Sequence, residues 1–199
     1  MFGSFYLAAM MYVLTGGPSV GKTSILHELE KQGEPVIHEA ATDLIGNMLR
    51  RGIKEFWKEE HFDLNILQIQ LEREGPFLDK QGRVFIDRGV FDGHTYVTYH
   101  GMTNTKTFAL MKEALENIDL NERYAAVFYV LPYSEEYIHK TCEVRKEDET
   151  EAKELQAALY KTYSKHKKFV VVPGNLSPKE RANYILEQVR RIEASSFQH

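Results

Sequence analysis

The sequence predicts an α/β fold: a three-layer sandwich with a five-stranded parallel sheet and helices on both faces. One observation and one general rule support this prediction. Short, mostly apolar segments, which are typical of buried parallel strands, alternate along the 199 residues with longer segments of helical periodicity. Parallel strands that follow one another also require crossover connections, and helices usually form them. Ligands bind at the carboxyl ends of the strands in such sheets, so the residues after each strand are the candidates for function.

The predicted elements follow from apolar patterning and from turn residues. Strands are predicted at 11–15, 36–38, 83–87, 125–131 and 169–172, and helices at 22–31, 40–50, 62–79, 105–117, 149–164 and 177–193. The third helix contains Gly75-Pro76, which kinks it or ends it early. The last helix has a clear start, because Ser177 and Glu180 match a capping box around Pro178.

Composition restricts the classes of function. The formal net charge is −4, so there is no broad basic excess and we expect no nucleic-acid partner. The single cysteine, Cys142, excludes an intramolecular disulfide and a Cys-rich zinc site, and it fits a cytoplasmic location.

The N-terminal region also bears on location. The apolar run at 5–14 is too short to span a bilayer and no basic segment precedes it, so we expect neither a membrane partner nor a signal peptide. Met10 and Met11 are alternative starts. We therefore expect residues 1–10 to form a flexible extension and 11–194 to form a single domain.

The strongest motif is a glycine-rich loop with the pattern G-x-x-x-x-G-K-T, between an apolar strand and an amphipathic helix. Its glycines let backbone amides face phosphate oxygens, Lys22 supplies a positive charge for the β- and γ-phosphates, and the Thr23 hydroxyl is placed for Mg²⁺. The alternative, an ordinary turn before a helix, does not explain the whole pattern. The predicted nucleotide-binding residues are Gly16, Gly17, Pro18, Ser19, Val20, Gly21, Lys22, Thr23 and Ser24. The sequence therefore predicts a phosphate-binding loop (P-loop) that binds ATP, or GTP, with Mg²⁺.

Two charged residues follow the third strand. Asp87 ends the strand, and a carboxylate at this point of a P-loop protein orders the Mg²⁺ shell. Arg88 is predicted to bind phosphate or an acceptor substrate. The alternatives are a cap of the next turn for Asp87 and a surface ion pair for Arg88. Asp92 either caps a short helix or contacts substrate.

Glu39 comes just after the second strand, where it is expected to face the P-loop. A carboxylate there can accept a proton from an acceptor hydroxyl, or hold an attacking water. The alternative is a glutamate in the first turn of a helix, stabilised by the helix dipole.

The segment at 132–148 is predicted to form a mobile lid, with Arg145 as the arginine that closes over the phosphates. Acidic residues surround Arg145, so a solvated helical face is the alternative.

Three segments together resemble the NadR-like AAA-type ATPase domain family of P-loop proteins. They are V-L-T-G-G-P-S-V-G-K-T at 13–23, P-V-I-H-E-A-A at 35–41 and F-I-D-R-G-V-F-D at 85–92. The resemblance implies a five-stranded core like that of nucleoside and nucleotide kinases. Characterised members include ribosylnicotinamide kinase domains and a guanine-nucleotide-binding trafficking protein.

Two functions follow from these residues. The first is a kinase-like enzyme in which Lys22, Arg88 and Arg145 contact phosphates, Asp87 and Thr23 hold Mg²⁺, and Glu39 is the base for a small nucleoside-like acceptor of unknown identity. The alternative is an ATP- or GTP-binding NTPase or switch without an acceptor. No Asn-Lys-x-Asp motif occurs, which disfavours an ordinary GTPase.

Overall fold

A computed structural model describes residues 10–59, 61–78, 82–134 and 149–196, which contain a five-stranded parallel sheet. The strands are β1 (Met10–Thr15), β2 (Val36–Ile37), β3 (Arg83–Asp87), β4 (Ala126–Val130) and β5 (Phe169–Val172). Their order across the sheet is β2-β3-β1-β4-β5, and every pairing is parallel. The predicted fold class is therefore confirmed, and strand ends differ from the prediction by at most one residue.

Eight α-helices lie in these described residues. They are α1 (Lys22–Lys31), α2 (Ala40–Arg50), α3 (Phe62–Glu74), α4 (Val90–Tyr99), α5 (Lys106–Leu115), α6 (Leu120–Arg123), α7 (Glu149–Tyr163) and α8 (Pro178–Ser196). Two single turns of 3-10 helix occupy Phe56–Lys58 and Gly75–Phe77. The second of these ends α3, as Gly75-Pro76 predicted.

Helices cover both faces of the sheet because the side chains of β1 alternate between two cores. Tyr12 and Leu14 face the core that α1 and α8 complete. Met11 and Val13 face the opposite core, which receives side chains from α3, α4, α5 and α7. All four strand residues are buried, as expected for a central parallel strand. Burial on both faces makes β1 a rigid base for the loop that follows it.

Helix α4 is the main element that the sequence analysis did not predict in full. Its residues, V-F-D-G-H-T-Y-V-T-Y, are rich in β-branched and aromatic types that favour strands. Tertiary contacts override this preference, because Val90 and Val97 are buried in the core and Asp92 caps the first turn. The short helix α6 was also not predicted; Asp119 caps it by accepting from two backbone amides.

Two expectations concern the N-terminal extension and the membrane. Met10, placed in the predicted extension, belongs to β1 and pairs with Arg83, and residues 1–9 lie outside the described residues. Across the ranges that the structure describes, no helix is both long and apolar enough to cross a membrane.

Candidate active site

The P-loop joins the end of β1 to the start of α1, and two of its glycines have backbone angles that other residues avoid. Gly16 has a φ of 142°, and a Cβ there would lie 2.6 Å from the backbone oxygen of Val130. Gly21 has a φ of 90°, and its Cβ would lie 2.7 Å from a ring carbon of Tyr133. No side chain caps the start of α1 at Gly21. The first amides of α1 can therefore bind an anion.

Lys22 is folded back onto the loop. Its Nζ donates to the carbonyl oxygens of Gly16 at 2.9 Å and Gly17 at 2.8 Å, and the residue is only 6% exposed. Burial lowers the pKa of Lys22 to about 7, with a smaller contribution from the positive Arg88, and nearby carboxylates oppose the shift. A phosphate oxygen would therefore stabilise the charged form better than two carbonyl groups do.

Asp87 connects β3 to the P-loop. Its Oδ2 accepts a hydrogen bond from the Thr23 hydroxyl at 3.0 Å. Its Oδ1 is buried and has no hydrogen-bond partner among the described residues. Burial raises the pKa of Asp87, and the nearby Glu39 carboxylate contributes in the same direction. An unpartnered buried carboxylate oxygen beside a hydroxyl fits a cation, so this pair is suited to Mg²⁺.

Glu39 and Arg88 form an ion pair at the ends of β2 and β3. The Nε of Arg88 donates to Oε1 of Glu39 at 2.5 Å, and both side chains are partly buried. Burial alone would raise the pKa of Glu39, but Arg88 and Lys22 hold it below its usual range. Arg88 has a φ of 66°, which is uncommon for a residue with a side chain. The ion pair is partly buried, and a role for Arg88 in binding phosphate or an acceptor stays a prediction.

Asp92 caps helix α4. Its Oδ2 accepts from the backbone N of Gly89 at 3.0 Å and from the Tyr163 hydroxyl at 2.5 Å, and its Oδ1 accepts from the Thr15 hydroxyl at 3.1 Å. The carboxylate is 2% exposed, and burial raises its pKa. These contacts join the end of β1 to α4 and α7, so Asp92 caps the helix as one of the two predictions had it. It also lines the pocket described next, and contact with substrate stays a prediction.

An apolar pocket of about 190 Å³ lies between α2, α3 and α4. Glu39 and Arg88 line it together with Tyr96, whose ring centre is 5.1 Å from the Arg88 guanidinium carbon. Apolar lining comes from Ile45, Phe62, Ile66 and Leu67. The pocket thus borders the predicted base, and its apolar lining with a few polar groups is typical of small-molecule sites.

Gln70 is the buried amide that lines this pocket. Its Nε2 donates to Oε1 of Glu74 at 2.7 Å. Arg123 donates to the other oxygen of Glu74 at 2.7 Å, and the Tyr124 hydroxyl donates to the same carboxylate at 3.1 Å. Because Glu74 fixes the donor end of the amide, Gln70 has its carbonyl oxygen left to offer a ligand in the pocket.

Two side chains that hold the P-loop were not predicted. Gln156 on α7 accepts from the backbone N of Gly17, while its Nε2 donates to the oxygen of Val130 at 3.0 Å. Arg181 on α8 donates to the oxygen of Val20 at 2.8 Å. Both residues lie on amphipathic helices far from the loop in sequence, and the sequence contains no local signal of these contacts.

One predicted site residue is not part of this arrangement. Arg145 lies outside the described residues. The other predicted residues, from the P-loop, Glu39, Asp87 and Arg88, lie at the carboxyl ends of the adjacent strands β1, β2 and β3.

The fold and the glycine-rich loop between β1 and α1 define a P-loop protein. A protein-family model described as an AAA domain matches residues 11–181, and the chain therefore belongs to the AAA domain family. The prediction of a NadR-like domain is confirmed by this match together with similarity to solved NadR structures. No curated protein sequence matches the chain significantly.

Solved structures share the fold at low sequence identity. The chain is similar to deoxyadenosine kinase from M. mycoides with the products dCMP and a flexible dCDP bound (TM-score 0.64, 16% identity, covering 92% of this chain and 100% of that one). It is similar to NadR in complex with NR (TM-score 0.64, 16% identity, covering 93% of this chain). The match covers 52% of NadR, so this chain spans about half its length.

A third similar structure is thymidylate kinase from Candida albicans (TM-score 0.61, 13% identity, covering 94% of this chain and 93% of that one). At these identities the likeness establishes the fold. The predicted P-loop fold is thus confirmed.

Proposed function

We propose that this protein is a Mg²⁺-dependent phosphotransferase that moves the γ-phosphoryl group of ATP to a hydroxyl of a small, nucleoside-like acceptor. One observation carries the proposal: an apolar pocket is lined by Glu39 and Arg88, at the same edge of the sheet as the P-loop. Arg88 follows β3, the neighbour of the strand that leads into the loop, and Glu39 follows β2, the next strand outward. A donor in the loop and an acceptor in the pocket would lie side by side, and phosphoryl transfer depends mainly on such positioning.

The P-loop is the proposed binding site for the triphosphate. The uncapped amides at the start of α1 would bind phosphate oxygens together with the helix dipole. Lys22 would exchange the carbonyl oxygens of Gly16 and Gly17 for the β- and γ-phosphates. The phosphates would stabilise the protonated form of Lys22, which burial disfavours. Binding of the triphosphate and protonation of Lys22 are therefore coupled.

Thr23 and Asp87 would hold Mg²⁺. The hydroxyl and the unpartnered Oδ1 are hard oxygen ligands, which Mg²⁺ prefers. The bound ion would neutralise charge that develops on the phosphates. No group of three or more His, Cys, Asp or Glu suited to a metal occurs in the described ranges, which fits an ion that is shared with the substrate phosphates.

Glu39 is the proposed base. The Arg88 ion pair keeps its carboxylate ionised at neutral pH, which is the form that accepts a proton. The acceptor hydroxyl would give its proton to Glu39 while its oxygen bonds to the γ-phosphorus. The bond between that phosphorus and the bridging oxygen breaks, and ADP leaves with the bond electrons. Arg88 orients Glu39 and would lie beside the transferred group.

The charges that line the pocket favour an acceptor without an anionic group. Glu39, Asp63 and Asp92 are acidic, and the one basic residue among the described lining residues, Arg88, is already paired. Burial raises the pKa of Asp63, so the pocket already disfavours this negative charge. A phosphate or carboxylate on the acceptor would meet further repulsion, whereas a neutral or cationic nucleoside would not.

The test is ADP formation with a panel of acceptors at fixed ATP and Mg²⁺. Neutral nucleosides and the cationic ribosylnicotinamide are expected to stimulate turnover, and nucleoside monophosphates and shikimate are not. Stimulation by the anionic compounds alone would contradict the proposed acceptor class. A panel without any stimulation, in protein that binds ATP, would refute the kinase assignment and leave slow hydrolysis as the activity.

In this proposal the phosphoryl donor is ATP, and GTP is the alternative donor. Titrating each nucleotide with and without Mg²⁺ measures the preference and the contribution of the ion.

A cytoplasmic location is part of the same proposal and is supported by the single cysteine, Cys142. Cell fractionation with an antibody to the native protein would test it.

A further inference from the structure

Arg181 is the largest fully buried side chain in the described part of the protein, with 0% exposure. It lies in the first turn of α8, whose start is fixed by the capping box of Ser177 and Glu180. Burying a guanidinium group is unfavourable unless it makes specific contacts. The contacts of Arg181 are therefore a guide to its role.

One contact is to the apex of the P-loop. Nη1 of Arg181 donates to the backbone oxygen of Val20 at 2.8 Å. No cis peptide bond occurs in the described residues, so the Val20–Gly21 peptide is planar and trans. In such a unit the C=O and N–H groups point in opposite directions. Because Arg181 holds the Val20 oxygen, it also turns the Gly21 N–H away from α8.

A second contact involves the ring that covers Gly21. The Arg181 guanidinium lies 3.9 Å from the ring centre of Tyr133, which is within the range of a cation–π interaction. The same ring is so close to Gly21 that a Cβ at position 21 would overlap it. Arg181 therefore fixes both the carbonyl before Gly21 and the aromatic ring beside it, and the loop apex has little freedom to rotate.

We infer that Arg181 is a positioning residue for the donor nucleotide: it holds the Val20–Gly21 peptide so that the Gly21 N–H is directed at a bound phosphate. This rests on the proposed nucleotide binding by the P-loop. An amide that is already oriented costs no reorganisation when the phosphate binds, and this is the advantage of a preorganised site. Arg181 acts through the loop and need not touch the nucleotide.

The experiment compares three substitutions at this position. Arg181→Met removes both the donor and the charge, Arg181→Gln keeps a donor without the charge, and Arg181→Lys keeps both. We expect Arg181→Met to weaken ATP binding by about ten- to a hundredfold, which is the range for losing a charged hydrogen bond. Arg181→Lys should stay within about threefold of the wild type, and Arg181→Gln should fall between them.

Measuring KM separately for ATP and for the acceptor distinguishes a positioning role of Arg181 from a general structural role. The KM for ATP should rise while the KM for the acceptor is unchanged, and the NMR shift of the Gly21 amide on ATP addition should shrink. Arg191→Met is the matched control, because Arg191 lies on the same helix with an exposed side chain paired to Glu187. It should bind ATP as the wild type does.

The outcomes are distinguishable from failure of the proposed function. If the wild type does not bind ATP, nucleotide binding by the P-loop itself is refuted. If the wild type binds and Arg181→Met binds equally well, only the positioning role is refuted. If Arg181→Met does not fold, the Gln and Lys variants decide: equal losses in both, or equal rises in both KM values, would overturn the inference.

Discussion

The hydroxyl of Thr23 donates to Oδ2 of Asp87 across 3.0 Å, and Oδ1 of Asp87 has no partner among the described residues. This pair links the first turn of α1 to the end of β3. It presents one hydroxyl oxygen and one carboxylate oxygen beside the P-loop, which is a suitable arrangement for a hard cation.

Asp87→Asn tests this pair. The amide oxygen can still accept from Thr23, but the negative charge is lost, so we expect the Mg²⁺ concentration for half-maximal activity to rise about tenfold or more. Burial raises the pKa of Asp87, so the ionised form destabilises the nucleotide-free fold at neutral pH. The stability of the wild type should fall as pH rises through that pKa, whereas the variant should lack this fall.

The measurements are Mg²⁺ titrations of activity and urea unfolding at several pH values. Asp43→Asn is the matched control, because Asp43 is an exposed carboxylate on α2 that pairs with Arg73. An unchanged Mg²⁺ requirement in Asp87→Asn would contradict the assignment of Asp87 as a ligand.

Lys22 gives a prediction in which function and stability change in opposite directions. Lys22→Met should abolish the rise in Tm that ATP produces, because the charge on the loop is lost. The same variant should be more stable than the nucleotide-free wild type at pH 7, since burial lowers the pKa of Lys22 to about 7 in the folded protein.

The pH dependence of this difference has a definite sign. Between pH 7 and the unfolded value of 10.5, the unfolded chain binds more protons at Lys22 than the folded chain does. This term therefore makes wild-type stability rise with pH, and the advantage of Lys22→Met should shrink toward pH 10. Thermal melts of both proteins from pH 7 to 10 measure it, and an advantage that grows with pH would be inconsistent with a depressed pKa.

The sequence was sufficient for the sheet, the P-loop and the charged strand ends because each rests on a local pattern. The P-loop pattern is contiguous from Gly16 to Thr23, and Asp87 and Arg88 directly follow an apolar run. Strand order then brings Glu39 close to them, since β2, β3 and β1 are neighbours in the sheet. Parallel topology thus converts separate sequence motifs into one site.

The contacts that shape the site could not be predicted, because they join residues distant in sequence. Gln156 binds the P-loop from 139 positions away and Arg181 from 161. Helix α4 was predicted only as a short helix that Asp92 could cap, for a related reason: its residues favour a strand locally, and its position is set by Asp92 and the core. Such features depend on three-dimensional packing rather than on local preference.

Glu39→Gln tests the proposed base. The amide still fits beside Arg88, but it cannot accept the acceptor proton, so we expect kcat to fall by about 10²- to 10⁴-fold while ATP affinity changes little. The control is Glu30→Gln, which removes an exposed carboxylate at the end of α1. The assay is acceptor-dependent ADP formation. Loss of ATP binding in Glu39→Gln, or full activity, would argue against a base at this position.

The wild-type pH profile tests the same residue independently. Burial opposes ionisation of Glu39, but Arg88 and Lys22 hold its pKa below the usual range. The acid limb of kcat/KM should therefore lie below the ordinary glutamate value of about 4.3, and activity should be insensitive to pH between about 5.5 and 6.5 as far as Glu39 is concerned. An acid limb near neutrality would assign the base to another group.

Gln70 makes the last prediction, which concerns the acceptor alone. Glu74 accepts a hydrogen bond from Nε2 of Gln70 at 2.7 Å and also accepts from Arg123 and Tyr124. Rotating the Gln70 amide by 180° would remove the first of these hydrogen bonds, so Glu74 fixes the orientation of the amide. We therefore expect its carbonyl oxygen to favour acceptors that carry an N–H or O–H group at that end of the pocket. Gln70→Leu should raise the acceptor KM about ten- to a hundredfold and leave the KM for ATP unchanged.

The matched control for this variant is Gln68→Leu, because Gln68 lies on the same helix with an exposed side chain. Steady-state kinetics with each substrate varied in turn distinguish the two positions. If Gln70→Leu and Gln68→Leu have the same acceptor KM, Gln70 serves only to support Glu74. If the KM for ATP rises as much as that for the acceptor, the loss of Gln70 has disturbed the P-loop, and the pocket between α2, α3 and α4 is not a separate acceptor site.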